Sequence, residues 1–207
     1  MRPRTVPSLG LVLAFALNAG IAVAGPDDPE LEIGKKGPAF ELLGVDGQKH
    51  ALSEYLSKNK VTAVVFTCNT CPYSQAYEPV LLEIAQKYTK QPVAFVLINP
   101  NDVEAKPGDS YEAMVERAKE KKYPFAYLHD ATQAVATAYG AQRTPHVFLL
   151  DANGVCTYRG RIDDSVKREE VKTHDFTDAV DAMLAGKVIT TASTKAFGCT
   201  IKWRKAS

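Results

Sequence analysis

The segment over residues 61–74 constrains the fold more than any other part of the chain. It reads VTAVVFTCNTCPYS, a short β-branched run followed by two cysteines and a proline. A continuous apolar run of this length is typical of a buried strand, and proline is favoured in the first turn of a helix. The sequence therefore predicts a strand over 61–66, a loop that carries Cys68 and Cys71, and a helix over 74–88.

The two cysteines lie where a thiol is easily ionised. Cys71 falls at the N-cap of the predicted helix, where unpaired N–H groups and the helix dipole favour the nucleophilic thiolate. Cys68 lies three residues upstream and can reach the same site. A zinc site and inert core cysteines are the alternatives, but no second CxxC or His pair stands at ligand spacing. The motif predicts thiol redox chemistry without a metal or another cofactor.

Residues 1–24 have the pattern of a secretory signal peptide. Arg2 and Arg4 form a basic start, an apolar stretch follows, and small residues precede a cleavage point between Ala24 and Gly25. The alternative is an uncleaved anchor, although the apolar run is shorter than the ~20 residues that span a bilayer. We expect a periplasmic or secreted protein with no membrane span after cleavage.

Charge and length limit the partners and the number of domains. The net charge is +1, and the only basic cluster is a short C-terminal one, so nucleic acid is not an expected partner. The length after cleavage suits one domain. Residues 25–37 are rich in Gly, Pro and charge and are predicted to be a flexible leader, followed by a single domain over 38–207.

The remaining patterns continue an alternation of strands and helices. Strands are predicted over 39–43, 92–98, 125–128, 147–150 and 155–161, and helices over 53–56, 110–121, 132–139 and 174–184. The stretch from 61 to 98 then forms a βαβ unit. Asn153-Gly154 predicts a hairpin between the last two strands. The chain is therefore expected to be an α/β protein.

This order, with Thr144-Pro145 before a strand and hairpin, resembles the thioredoxin-like fold, which has a central mixed β-sheet flanked by helices. The letters GPAFEL at 37–42 are similar to the entry of the redoxin branch, which includes alkyl hydroperoxide reductase and thiol-specific antioxidant proteins. FTCNTCPY at 66–73 and GCTIKW at 198–203 are similar to a group of bacterial thioredoxin-family proteins. The resemblance implies thiol and disulfide chemistry.

The resemblance also implies roles for the two thiols. Thioredoxins carry a helix-kinking proline eight residues after their first active-site cysteine, and Pro79 stands eight residues after Cys71. Cys71 then attacks, Ser74 replaces the usual second cysteine, and Cys68 resolves. The reverse assignment, with Cys68 as the attacking thiol, remains open from spacing alone. The buried acid of thioredoxins is replaced by Val65.

Pro145 resembles the cis-proline that faces the redox loop in this fold. A cis bond would leave the Thr144 backbone free to pair with a protein or small-molecule disulfide or thiol substrate. Thr70 and Pro72, which flank Cys71, are the other predicted substrate contacts. An ordinary trans proline at the start of an edge strand is the alternative. The electron donor is not indicated.

Two further cysteines have open roles. Cys199 lies in a polar tail and is a candidate resolving thiol that folds back on Cys71. A structural bridge to Cys156 or an unpaired thiol are equal alternatives, since connectivity cannot be read from sequence. Cys156 lies in a strand pattern and is predicted to be a small core residue.

The expected function is an exported thiol-disulfide oxidoreductase. A thiol peroxidase is one alternative, but the threonine that peroxiredoxins place three residues before the reactive cysteine is Cys68 here. We therefore expect slow peroxide reduction. The other alternative is a Cu(I)-binding protein in which His146 joins Cys68 and Cys71, because thiolates with an imidazole suit that metal.

Overall fold

The computed structural model describes residues 29–205, so the predicted signal peptide lies outside the described residues. No helix in this range is long and apolar enough to cross a membrane. The strands are β1 (Glu41–Gly44), β2 (Lys49–Ala51), β3 (Val61–Phe66), β4 (Val93–Asn99), β5 (Ala126–His129), β6 (Arg143–Thr144), β7 (His146–Asp151), β8 (Cys156–Gly160) and β9 (Cys199–Thr200). The helices are α1 (Leu52–Leu56), α2 (Pro72–Lys87), α3 (Tyr111–Lys121), α4 (Ala134–Ala138) and α5 (Asp175–Leu184).

Seven of the strands form one mixed sheet in the order β2-β1-β5-β4-β3-β7-β8. The central strands β3, β4 and β5 are parallel, and the outer pairings are antiparallel. Strands β6 and β9 form a separate two-stranded ladder. The predicted central mixed sheet flanked by helices is confirmed.

The sequence of β3 explains why helices cover both faces of the sheet. Val61, Ala63 and Val65 face one core, and Val64 and Phe66 face the other, because alternate side chains of a strand point to opposite sides. Helices α2, α3 and α5 pack on the first face, and α1 and α4 pack on the second. A strand buried on both faces is apolar throughout, as its sequence indicates.

Local signals place the helix ends correctly. Helix α2 begins at Pro72 with Cys71 as its N-cap, as predicted. Ser110 caps α3, and its hydroxyl oxygen accepts a hydrogen bond from the Ala113 N–H. The sequence does not predict β2 or the β6–β9 ladder, because strands of two or three residues show no periodicity.

Residues 29–37, the described part of the predicted flexible leader, are bound to the domain beside β8. The Gly34 N–H donates to the Cys156 carbonyl at 2.8 Å, and the Gly37 N–H donates to the Gly154 carbonyl at 2.8 Å. These contacts do not fit a flexible leader. Composition misled the prediction because backbone hydrogen bonds to a sheet edge do not depend on side-chain type.

Three parts of the chain meet at the carboxyl end of β3. The loop with the two cysteines leaves β3 there, and the polar segment over 100–110 leaves the neighbouring β4 on the same side. Pro145 directly precedes β7, whose first residue, His146, pairs with Phe66 at the end of β3. Ligand and reaction sites of α/β sheets commonly lie at such an edge.

Candidate active site

The two thiols of the motif lie against the same residue, Thr144. The Cys71 Sγ is 3.1 Å from the Thr144 carbonyl oxygen, and the Cys68 Sγ is 3.4 Å from the Thr144 hydroxyl oxygen. Cys68 is 4% exposed and Cys71 is 3% exposed. The fold therefore brings three of the predicted site residues together, almost fully buried, at the carboxyl end of β3.

The two sulfurs differ in acidity. A hydrogen bond from the Cys68 thiol is the main cause that lowers the pKa of Cys71 to about 4, although burial opposes the shift. The thiol of Cys199 and the backbone N–H of Ser74 act in the same direction. The contact with Cys71 and burial raise the pKa of Cys68. Cys71 is thus the thiolate of the pair, and Cys68 holds the proton.

The Thr144 carbonyl opposes this ionisation. The Cys71 thiol donates to that oxygen, and a thiolate has no proton to donate, so the contact becomes repulsive on ionisation. The order of the two pKa values therefore depends on the Cys68 proton and on the nearby helix N-terminus.

A buried carboxylate holds the loop between the two cysteines. Asp109 accepts hydrogen bonds from the N–H groups of Asn69 and Thr70, at 2.6 and 3.2 Å, and from the Thr70 hydroxyl at 2.6 Å. The side-chain amide of Asn101 donates to the same carboxylate at 2.8 Å, and that of Asn99 does so at 3.4 Å. These donors compensate the burial of a charged side chain that has no exposed surface. Asp109 therefore determines the shape of the CxxC loop.

Sequence reasoning missed the role of Asp109, because only the fold brings the loop after β4 beside the cysteines. It also missed Tyr127, whose hydroxyl donates to the Asn69 side-chain oxygen at 2.9 Å inside the domain. The sequence does contain a pattern that could have indicated polar contacts to the cysteine loop. Asn99 and Asn101 follow a buried strand whose carboxyl end lies at the same edge as Cys68.

The other predicted substrate contacts divide into two kinds. Thr70 is turned inward, because its hydroxyl donates to the Asp109 carboxylate. Pro72 is exposed at the start of α2, next to the exposed ring of Tyr73. The accessible surface beside Cys71 is therefore formed by the first turn of α2.

The bond between Thr144 and Pro145 is cis, as the resemblance implies. The Thr144 backbone, however, is not free to pair with a substrate in this structure. It pairs with Cys199 in the antiparallel β6–β9 ladder, and Thr144 has no exposed surface. The expectation of a free edge is wrong here, because the C-terminal segment of the chain occupies that edge.

All four cysteines are free thiols. Cys199 lies beside Cys71, close enough for its thiol to lower the Cys71 pKa. Cys156 is buried on β8, where its thiol donates to the Tyr158 carbonyl at 3.5 Å. The alternative of a Cys156–Cys199 bridge is therefore not formed, and Cys156 is the small core residue that the sequence predicts.

His146 does not join the two sulfurs. Its ring packs on Phe148 with centroids 4.5 Å apart, and its Nδ1 accepts a 3.4 Å hydrogen bond from the Gln142 N–H. Burial lowers its pKa to about 3. Over residues 29–205, no group of three or more His, Cys, Asp or Glu side chains could hold a metal ion.

Known proteins share this fold and, in part, this sequence. The crystal structure of an uncharacterized conserved protein from Geobacillus kaustophilus has a TM-score of 0.80 and 37% identity, over 86% of this chain and 95% of that chain. The thiol:disulfide interchange protein DsbE of Pseudomonas aeruginosa is 27% identical over 164 residues, which cover 78% of this chain and 85% of that protein.

The fold itself is confirmed by a more distant structure. The thioredoxin domain of a thiol-disulfide oxidoreductase from Bacteroides vulgatus has a TM-score of 0.59 and 18% identity, over 75% of this chain and 99% of that chain. The family model described as Redoxin matches residues 32–177, a range that holds the central sheet, both motif cysteines and Pro145. With this match over most of its length, the chain belongs to the Redoxin family.

Proposed function

We propose that the chain is an exported thiol-disulfide oxidoreductase in which Cys71 attacks a protein or small-molecule disulfide and Cys68 releases the product. The observation that carries the proposal is the position of Cys71 at the N-cap of α2, with Cys68 against the same residue, Thr144. The lowered pKa of Cys71 and the raised pKa of Cys68 agree with it. The likeness to a thiol:disulfide interchange protein supports the same reaction class. Export rests on the pattern of residues 1–24.

The reaction consists of two exchanges. The Cys71 thiolate attacks one sulfur of the substrate disulfide, and the other substrate sulfur leaves as a thiolate. Cys68 then gives its proton to a departing thiolate and attacks the Cys71 sulfur, which releases the second substrate thiol. A Cys68–Cys71 disulfide remains, so the substrate gains two electrons that the cysteine pair loses. The reverse sequence oxidises a dithiol with the same residues.

The positions of the two thiols suit these separate roles. Cys71 is ready as a thiolate at the start of α2, whereas Cys68 keeps its proton until Cys71 carries a disulfide. Once Cys71 is in a disulfide, the contact that raises the Cys68 pKa no longer involves a thiolate. Cys68 can then ionise and attack.

Substitution of each thiol tests the assignment. Cys71→Ser should lower dithiothreitol-driven reduction of insulin by at least about a hundredfold, because the nucleophile is lost. Cys68→Ser should reduce steady-state turnover while oxidised glutathione still adds to Cys71, as read by mass spectrometry after an acid quench. Cys156→Ser is the matched control and should behave as wild type.

Two results would contradict the assignment. Full steady-state turnover in Cys68→Ser would show that this thiol does not resolve the intermediate. A glutathione adduct on Cys68 in the Cys71→Ser variant would reverse the two roles. Thermal unfolding of each variant, followed by circular dichroism, separates a lost thiol from a lost fold.

The rival functions have less support from the site. Among the described residues the two sulfurs do not combine with His146 into a metal-binding group, so a Cu(I) site would need a rearranged core. For a peroxidase, the position three residues before Cys71 is the thiol Cys68 rather than an orienting hydroxyl. Thiolate character alone does not position a peroxide.

A further inference from the structure

The C-terminal segment closes the active site with a strand of its own. Strand β9 pairs antiparallel with β6, so that Cys199 stands opposite Thr144 and Thr200 stands opposite Arg143. The backbone that this ladder uses is the one directly before the cis-proline. An extended peptide substrate would recognise such an edge by the same strand addition. The chain thus presents its own strand, with a cysteine, at the substrate position.

Gly198 allows this close approach. A Cβ at this position would overlap the Thr144 carbonyl and approach the Pro145 Cδ at 3.2 Å. Its φ of +148° also favours glycine. The backbone of the segment therefore lies directly on the residue that both active-site sulfurs contact.

The segment is anchored on both sides of Cys199. Ile201 is buried in the second core, and the Lys202 carbonyl accepts a 2.9 Å hydrogen bond from the Asp102 N–H. On the other side, the Phe197 ring packs on Tyr73 and Tyr77 of α2, with centroids 6.1 and 6.3 Å apart. These contacts hold Cys199 opposite Thr144, the residue whose carbonyl the Cys71 sulfur contacts.

The three thiols form a series from the interior to the surface. Cys68 and Cys71 are almost fully buried, whereas Cys199 is partly exposed. All three lie against Thr144, because both active-site sulfurs contact this residue and Cys199 pairs with it in the β6–β9 ladder. The family match ends at residue 177, so the third thiol lies in a part of the chain that the family pattern does not include.

We propose that Cys199 is a third redox-active thiol, which attacks the Cys71 sulfur and forms a Cys71–Cys199 disulfide. This inference rests on the proposed function, since it requires Cys71 to carry a disulfide first. The Cys199 thiolate displaces whichever sulfur Cys71 holds, either that of the substrate or that of Cys68. The displaced sulfur leaves with the bonding pair and takes a proton, so the exchange needs no further oxidant.

The electrostatics of Cys199 suit a thiol that acts second. Burial, followed by the hydrogen bond and the charge of the neighbouring Cys71 thiolate, raises the pKa of Cys199 in the reduced protein. The thiolate disappears when Cys71 enters a disulfide, and two of these causes disappear with it. Cys199 then becomes more acidic at the moment when it is needed. A disulfide that includes Cys199 is also nearer the surface, where a thiol reductant can reach it.

The lifetime of a mixed disulfide tests the proposal. Oxidised glutathione is added to the reduced Cys68→Ser variant and to the same variant with Cys199→Ser, and the Cys71 adduct is followed by mass spectrometry. The double variant should keep the adduct at least about tenfold longer, because an adjacent thiol acts at a high effective concentration. Peptide mapping of Cys68→Ser should find a Cys71–Cys199 disulfide.

Control variants make the result decisive. Cys68→Ser with Cys156→Ser should lose the adduct as fast as Cys68→Ser alone. Cys68→Ser with Cys199→Ala should match the serine double variant, because the longer lifetime comes from the lost thiol and not from the residue that replaces it. Equal adduct lifetimes with and without Cys199, and no Cys71–Cys199 peptide, would overturn the redox role of Cys199. The assignment of Cys71 as the nucleophile would still stand. Absence of an adduct on Cys71 in every variant would instead overturn the proposed function.

Discussion

At the scale of single residues, the site depends on one carboxylate as much as on its thiols. Asp109 accepts the two N–H groups between Cys68 and Cys71, so it sets the geometry of the loop that separates the sulfurs. Its negative charge also contributes to raising the Cys68 pKa, after the contact with Cys71 and burial. The Asp109 carboxylate hydrogen-bonds to the loop and not to either sulfur, so it acts as a positioning residue.

Asp109→Asn should weaken this loop. Asparagine keeps one acceptor but turns an amide toward the amide of Asn101, so two donors face each other where a carboxylate stood. We expect the free energy of unfolding to fall by about 1–3 kcal/mol and glutathione addition to Cys71 to slow by about tenfold. Urea unfolding and stopped-flow kinetics on the reduced protein measure both.

Asp130→Asn is the matched control for that variant. Asp130 is also fully buried, but its carboxylate accepts the Ala136 N–H at the start of α4 rather than the N–H groups of the cysteine loop. It should lower stability without slowing addition to Cys71. Equal slowing in both variants would show that the effect of Asp109 is general destabilisation rather than positioning of the loop.

At the scale of elements, the site is a helix start closed by a strand from the far end of the chain. Helix α2 presents Cys71 at its N-cap, and β9 covers it from the side of Thr144. Neither element contains the whole site. We therefore expect the exposure of Cys71 to depend on whether β9 is in place.

Gly198→Ala should displace β9. The added Cβ would overlap the Thr144 carbonyl, so the ladder must open or shift. We expect alkylation of Cys71 by iodoacetamide at neutral pH to accelerate by about tenfold, since local opening controls access to a buried thiol. Mass spectrometry of the alkylated peptides gives the rate at Cys71 separately from the other cysteines.

Gly186→Ala is the control that separates backbone strain at a positive φ from displacement of β9. Gly186 also has positive φ, at +65°, but nothing lies within 4 Å of a Cβ built there. This variant should lose some stability and leave the Cys71 alkylation rate unchanged. An unchanged rate in Gly198→Ala would mean that β9 does not limit access to the nucleophile.

At the scale of the whole molecule, the thiolate links redox state to stability. The pKa of Cys71 is lowered to about 4 in the folded protein, and an unfolded cysteine has a pKa of about 8.5. Between these values the unfolded chain binds more protons, so the free energy of unfolding rises with pH. The contribution is complete above the unfolded value and is lost as the pH falls towards 4.

Urea unfolding between pH 5.5 and pH 8 tests this linkage. The reduced wild type should gain stability relative to reduced Cys71→Ser, with a slope of at most about 1.4 kcal/mol per pH unit. The oxidised protein has no Cys71 thiol to titrate and should lack this slope. A difference between wild type and variant that does not change with pH would contradict a thiolate at Cys71.

The fold could largely be predicted because its signals are local. Strand β3 and the Cys71 N-cap follow from a continuous apolar run and from Pro72, both within a few residues of the site. The β6–β9 ladder could not be predicted, because a strand of two residues is too short to show an alternation of apolar and polar side chains. The two strands also lie more than fifty residues apart in the chain. The contacts of the described leader residues could not be predicted either, because their partners lie more than a hundred residues away in the chain.

The βαβ unit, the position of both motif cysteines and the family could be predicted from the chain's local patterns, because periodicity, capping and motif spacing are properties of neighbouring residues. Which side chains join the cysteines depends on the packing of the folded chain. This packing placed the Asp109 carboxylate in the cysteine loop and Cys199 opposite Thr144, and it moved His146 into a core. Such contacts depend on which strands pair and on which edge their ends meet, and no local pattern of residues encodes that.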